Sequence, residues 1–285
     1  MAQKTSELGH GATAATGAPA RSTSTSGPQL QLKGVNKIYQ ARQGRVHALS
    51  DVDLDITQGE FISLVGRSGC GKTTLLRILA GLLDPSSGDV LAEGQSVWKG
   101  TRRNDDALRA FGLVFQDANL FPWFTVWENI SLPLKLRGVG KKERRDRASE
   151  LCELVGLPGF EGAYPRELSG GMRQRAAIAR ALSTDPKILL MDEPFGALDA
   201  LTRDKMNLEL QRIHATAGAT VVFVTHSITE AAFLADRVVL LTPRPGRIRS
   251  VTSVPLPRPR SLDVESDPEF NDIVRELRHQ LDEEE

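Results

Sequence analysis

Cysteine is scarce in this chain. Cys70 and Cys152 are the only two among 285 residues, and neither stands in a CxxC or metal-ligand spacing. A disulfide framework is thereby excluded and a reducing, cytoplasmic setting is expected. Charge of one sign is lacking as well. Thirty-six Lys and Arg balance thirty-six Asp and Glu, whereas nucleic-acid binders carry a basic excess, so no nucleic-acid partner is expected. No apolar run reaches the roughly 18–20 residues that cross a bilayer. The first residues lack the apolar core, roughly 7–15 residues long, of a signal peptide, so export is not expected either. The 40% hydrophobic and 25% charged residues suit a globular protein, and the length suits one large domain or two small ones.

What is present falls into three parts. Residues 1–28 read as a disordered tail. Their Gly- and Ala-rich sequence has Leu8 as its one large aliphatic residue and leads into Ser22–Gly27, STSTSG. Such a segment buries too little apolar surface to offset its ordering entropy. Residues 29–250 read as the catalytic domain. Five apolar runs, Phe61–Val65, Gly112–Phe115, Lys187–Met191, Thr220–Thr225 and Val238–Leu241, alternate with helical stretches, which predicts a parallel sheet covered on both faces. Val46–Leu49 and Val52–Ile56 instead alternate apolar with polar residues, the pattern of an antiparallel sheet with one wet face. Residues 125–183 read as mostly helical, and the basic run Lys141–Arg147 as a solvated helix face. Residues 251–285 read as an extension in which Asp267 caps, and Pro268 starts, a short amphipathic helix bearing Phe270, Ile273, Val274, Leu277 and Leu281. No internal repeat is visible, so one chain holds one catalytic unit.

The residues Gly66-Arg67-Ser68-Gly69-Cys70-Gly71-Lys72-Thr73 match GxxxxGK[ST]. They follow an apolar strand and lead through Thr74 into the helical pattern Leu75–Leu83, the context that this phosphate loop requires. Its glycines let backbone N–H groups converge on phosphate oxygens, and the helix start adds a favourable dipole. Lys72 is expected at the β- and γ-phosphates and the Thr73 hydroxyl on Mg²⁺. The run Lys187–Met191 ends in Asp192, expected beside the metal, and Glu193, expected to orient and deprotonate an attacking water. Cys70, inside the loop and at a helix N-terminus, is expected to be a reactive thiol.

The segment Leu168-Ser169-Gly170-Gly171-Met172-Arg173-Gln174-Arg175 resembles the LSGGQ signature of the ATP-binding subunits of ATP-binding cassette (ABC) transporters, with Met172 where glutamine is usual. Other elements stand in the family's order. Gln116 is similar to the Q-loop glutamine, Gly196–Asp199 to the D-loop, His226 to the switch histidine, and Tyr39 to the aromatic that stacks on adenine. The resemblance spans about residues 30–245. It implies an α/β P-loop NTPase fold with a RecA-like parallel-sheet core, an antiparallel β subdomain and a helical subdomain. It implies ATP and Mg²⁺, with Thr73, Gln116 and Asp192 at the metal, Glu193, His226 and Gln116 in catalysis, and Tyr39 with Gly66–Thr74 around the nucleotide. Ser169, Gly170 and Gly171 open a helix and so form a second anion site, which serves only against ATP held by another molecule. The implied assembly is a homodimer of cassettes around two ATPs, beneath two membrane-spanning permease subunits at the cytoplasmic face of the inner membrane. A periplasmic or lipoprotein substrate-binding protein would act through the permease.

After Gln116, the segment Asp117–Ile130 carries Phe121, Trp123, Phe124 and Trp127. In the family this region receives a coupling helix of the membrane subunit, and aromatic anchors suit such a contact. Leu120–Trp123 and Thr242–Ile248 look like the nitrate/sulfonate/taurine branch of importers. Substrate choice belongs to other subunits, so nitrate, sulfonate, taurine and related anions stay open. The alternative is a soluble ABC-type ATPase acting on DNA or ribosomes. Lys72 and Asp192 are 120 positions apart (192 − 72), too close for the long coiled coil of repair relatives, and there is one phosphate loop rather than two cassettes. A P-loop kinase or GTPase would need neither the signature nor the switch histidine.

Overall fold

The computed structural model describes residues 27–41 and 44–283; residues 1–26 of the expected tail lie outside them. The chain opens with β1 (Leu30–Ala41), β2 (Gly44–Ile56), β3 (Phe61–Val65), α1 (Lys72–Leu79) and β4 (Ser87–Ala92). Short pieces follow: β5 (Gln95–Ser96), β6 (Trp98–Lys99), β7 (Arg102–Arg103) and α2 (Asp105–Leu108), then β8 (Phe111–Val114). A helical region comprises α3 (Val126–Ile130), α4 (Leu132–Leu136), α5 (Lys141–Leu154) and α6 (Gly170–Leu182). The chain then returns through β9 (Ile188–Asp192), α7 (Ala200–Ala217), β10 (Thr220–Val224), α8 (Ile228–Leu234), β11 (Arg237–Leu241) and β12 (Ile248–Ser253) to α9 (Pro268–Asp282).

The central sheet has the strand order β12-β11-β3-β10-β9-β8. Its neighbours are parallel except for the antiparallel pair β11 and β12. Side chains alternate across a strand with period two. In β10, Val221 and Phe223 therefore join the cluster under the helices, while Val222 and Val224 join the cluster beneath α1 and the second sheet. In β3, Phe61 and Val65 divide from Ile62 and Leu64 in the same way. Covered on both faces, such strands have no wet position, which is why their sequences are unbroken apolar runs. Each fully buried Val, Leu, Ile or Phe contributes about 1.5–3 kcal/mol.

The second sheet, β2-β1-β4-β5, is antiparallel. Both alternating runs of the sequence lie on β2. Between them Asp51 adopts a left-handed φ of 48°, a region that Asp tolerates better than most residues. Its N–H donates to Asn36 Oδ1 at 3.0 Å, and the register with β1 shifts nearby, between Val35 and Lys37.

β12 runs through position 250, the expected end of the catalytic domain. α9 begins as the sequence suggests, with Asp267 Oδ1 accepting from the Glu269 N–H at 2.8 Å. It buries Phe270, Ile273, Val274 and Leu277 in the cluster that holds Phe61 and Phe223. Arg260, 3% exposed, ties the extension to α8. Its Nη1 donates to the carbonyls of Ala232, Phe233 and Ala235 and its Nη2 to those of Val254 and Leu256. Burial pushes its guanidinium down to about 10, so it stays charged at neutral pH. Among the described residues, no helix is long and apolar enough to cross a membrane.

Candidate functional site

β3 ends at Val65, and the chain turns through Gly66–Gly71 into α1. Gly71 has a φ of 109°, and a Cβ there would lie 2.7 Å from Leu49 Cδ2, so only glycine lets the loop close onto β2. Lys72 is buried, and its Nζ donates to the carbonyls of Gly66 at 2.7 Å and Arg67 at 3.3 Å. The ammonium thus lies folded over its own loop. Thr73 Oγ1 donates to Asp192 Oδ1 at 3.1 Å, which joins the first turn of α1 to the end of β9. The Tyr39 hydroxyl stands 3.4 Å from Thr74 Oγ1. Tyr39, Ser68, Gly69, Gly71 and Lys72–Thr74 line one cleft of about 370 Å³, together with Glu193 and His226.

Glu193 follows β9 directly. β9 and β10 are parallel neighbours with Asp192 opposite Val224, so their ends bring together residues 33 positions apart. Glu193 Oε2 lies 3.1 Å from His226 Nδ1. The backbone of Glu193 is strained at a φ of 43°, a conformation costing on the order of 1–3 kcal/mol. The bond from its N–H to the Val224 carbonyl at 2.9 Å helps hold it there. Burial raises the Asp192 carboxyl above the ordinary carboxylate range, opposed by the hydrogen bond from Thr73.

The Thr73 hydroxyl and the Asp192 carboxylate form a pair of hard oxygen donors, and a partly desolvated carboxylate gains from a nearby cation. That set fits Mg²⁺, which uses one or two carboxylates together with substrate phosphates. Gln116 is exposed. Its Nε2 lies 3.6 Å from where a Cβ on Gly196 would stand, beside the turn after Glu193.

Ser169 caps α6, its Oγ accepting from the Met172 N–H at 3.3 Å. A Cβ on Gly170 would contact Leu198 Cδ2 at 3.5 Å and one on Gly171 would contact Thr202 Cγ2 at 3.2 Å, so the signature packs against the D-loop and the start of α7. None of the three lines the cleft around Lys72. The aromatic segment is held by Asn129, which is fully buried. Asn129 accepts from the Phe121 N–H at 2.7 Å and donates to the carbonyls of Phe121, Phe124 and Thr125. Trp123 is 66% exposed, its ring tilted at 50° to that of Phe121 with centroids 5.5 Å apart.

Two features differ from the sequence reading. Cys70, expected to be reactive, is 1% exposed, because its side chain turns into the cluster beneath α1. A reactive thiol needs access as well as an electropositive setting. Burial also pushes the Cys152 thiol up to about 12. We therefore expect neither cysteine to react rapidly with Ellman's reagent in the native protein, and both to react in denaturant. Fast native labelling lost in Cys70→Ser would overturn this placement. The second difference is that Val46, Ala48 and Arg244 also line the cleft. Arg244 lay within a segment that marks a branch, and its place depends on β11 pairing with β3, which no local pattern reveals.

A family model described as ABC transporter matches residues 49–196. A nitrate import ATP-binding protein of Synechocystis sp. is 44% identical over 247 residues, 85% of this chain and 90% of that protein. A taurine import ATP-binding protein of Rhizobium johnstonii is 44% identical over 256 residues, 87% of this chain and 95% of that protein. A solved dimeric ATP-binding cassette in a post-hydrolysis state, bound to ADP and Pi, superposes with a TM-score of 0.69 at 37% identity, covering 79% of this chain and 98% of its own.

Proposed function

The chain belongs to the ABC transporter family as an ATP-binding, ATP-hydrolysing subunit, and from that premise we propose that it powers uptake of a small anion of the nitrate, sulfonate or taurine kind through a separate permease. The import names of its relatives support the direction of transport and the class of cargo. The observation that carries the mechanism is the pairing of a phosphate cleft with a second helix start, Ser169–Gly171, that lines no part of that cleft. Two chains facing each other give each Ser169 a γ-phosphate to cap. The assembly is then a homodimer beneath two permease subunits, peripheral on the cytoplasmic face of the inner membrane, and supplied by a periplasmic or lipoprotein substrate-binding protein. Residues 29–250 carry the groups of the ATP chemistry, and 251–285 complete the fold that holds them, since β12 crosses position 250 and α9 packs into the main core.

In this reading the Gly66–Thr73 amides cradle the phosphates, and Lys72 leaves the Gly66 carbonyl for the β- and γ-phosphates. Tyr39 stacks on adenine. Glu193 takes the proton of the attacking water, and His226, 3.1 Å from it, senses the γ-phosphate. Mg²⁺, held by Thr73, Asp192 and Gln116, would neutralise charge on the phosphate oxygens.

The test is ATPase activity of the chain reconstituted with its permease and binding protein and offered nitrate, taurine or an alkanesulfonate. One of these anions should stimulate turnover. Stimulation by DNA or ribosomes instead would favour the soluble-ATPase alternative. The exposed aromatic segment supplies a second measurement. Trp123→Glu should leave ATP binding unchanged and weaken permease association about tenfold or more, the loss typical of a central aromatic anchor. Full assembly of that variant would remove the segment from the docking surface.

A further inference from the structure

We infer that Arg244 is a further nucleotide-binding residue, a guanidinium that engages the polyphosphate chain of ATP together with Lys72. The inference rests on the reading of the cleft as the ATP site. Arg244 lines that cleft, and its Nη2 donates to the Gly69 carbonyl at 3.3 Å. This contact places the cation against Gly69, within the phosphate loop. A guanidinium carries five N–H donors, so one long bond to a carbonyl leaves most of them available.

Arg237 pairs with Glu60 and Arg258 with Asp236, but among the described residues Arg244 forms no ion pair. An exposed cation facing a cleft, without an anion of its own, suits an anionic ligand. The planar fork of arginine matches phosphate oxygens particularly well.

The backbone that presents this side chain is fixed. The Thr242 N–H donates to the Arg247 carbonyl at 2.9 Å, and Thr242 Oγ1 donates to the Pro245 carbonyl at 3.0 Å. Gly246 bonds to β2 in both directions, its N–H to Ala48 at 2.9 Å and its carbonyl to the Ser50 N–H at 3.0 Å. A Cβ on Gly246 would stand 2.1 Å from the Cys70 carbonyl, so this loop rests directly on the phosphate loop. The backbone that carries Arg244 is thereby set before any nucleotide arrives, which reduces the entropy lost on binding.

The test is calorimetric titration, without Mg²⁺ so that no turnover occurs, using ATP and inorganic tripolyphosphate as ligands. Arg244→Gln should raise the Kd of both by about tenfold, the size of one charge-assisted contact. Arg244→Lys should recover much of that loss, and the melting temperature of the nucleotide-free protein should not change. Wild-type affinity in Arg244→Gln overturns the inference. Weaker ATP binding with unchanged tripolyphosphate binding also overturns it, because the contact would then be to ribose or base. A lowered melting temperature without ligand, unrescued by lysine, would make Arg244 a brace of the loop. Lys72→Ala serves as the control. If it binds ATP like wild type, the reading of the cleft itself fails, whatever Arg244 does.

Discussion

Replacing Glu193 with glutamine is expected to lower ATP turnover by about 10²–10⁴-fold, the usual loss for a positioned base, while ATP still binds. The strained backbone of Glu193 and its 3.1 Å contact with His226 aim the side chain into the cleft. Glutamine keeps that size and the hydrogen-bonding reach but cannot accept a proton from water. Binding survives because the phosphate-loop amides, Lys72 and Thr73 are untouched. ATP that is held but not cleaved stabilises the closed pair of chains by mass action. Gel filtration should therefore show an ATP-dependent dimer for Glu193→Gln and mainly monomer for wild type without its permease. Adding Ser169→Arg should abolish the dimer. Ser169 is exposed, and losing its cap on α6 costs only about 0.5–2 kcal/mol, so the fold should tolerate the change. Wild-type turnover in Glu193→Gln would remove Glu193 from catalysis, and a dimer indifferent to Ser169→Arg would break the two-chain site.

Arg260→Ala is expected to destabilise the whole domain by about 3 kcal/mol or more, because each buried carbonyl left without a donor costs on the order of 1–3 kcal/mol. Five carbonyls lose their donor at once, three at the end of α8 and two in the segment leading to α9. For a domain of this size that corresponds to a fall in melting temperature of about 10 °C, readable by scanning calorimetry. Arg260→Lys should fall between alanine and wild type, since one ammonium cannot reach all five acceptors. An unchanged melting temperature in Arg260→Ala would mean that the extension folds onto the core without this tie.

The parts legible in the sequence are those whose chemistry is written contiguously. Gly66–Thr73, Asp192–Glu193 and Ser169–Gly171 are each short contiguous segments, so strand, loop and helix could be read around them without knowing their neighbours. The unbroken apolar runs showed that the main sheet is covered twice, and Pro268 with the spacing of Phe270, Ile273, Val274 and Leu277 marked α9. The tertiary structure decided everything that depends on which elements are adjacent. Strand order set the meeting of Glu193 with His226 and carried Arg244 to the phosphate loop. Packing turned Cys70 inward, against its local expectation, and gathered five carbonyls around Arg260. Periodicity states which face of a segment is buried, because side-chain direction follows from local backbone geometry. What covers that face is a long-range choice made by the packing of the whole chain, and no window of sequence contains it.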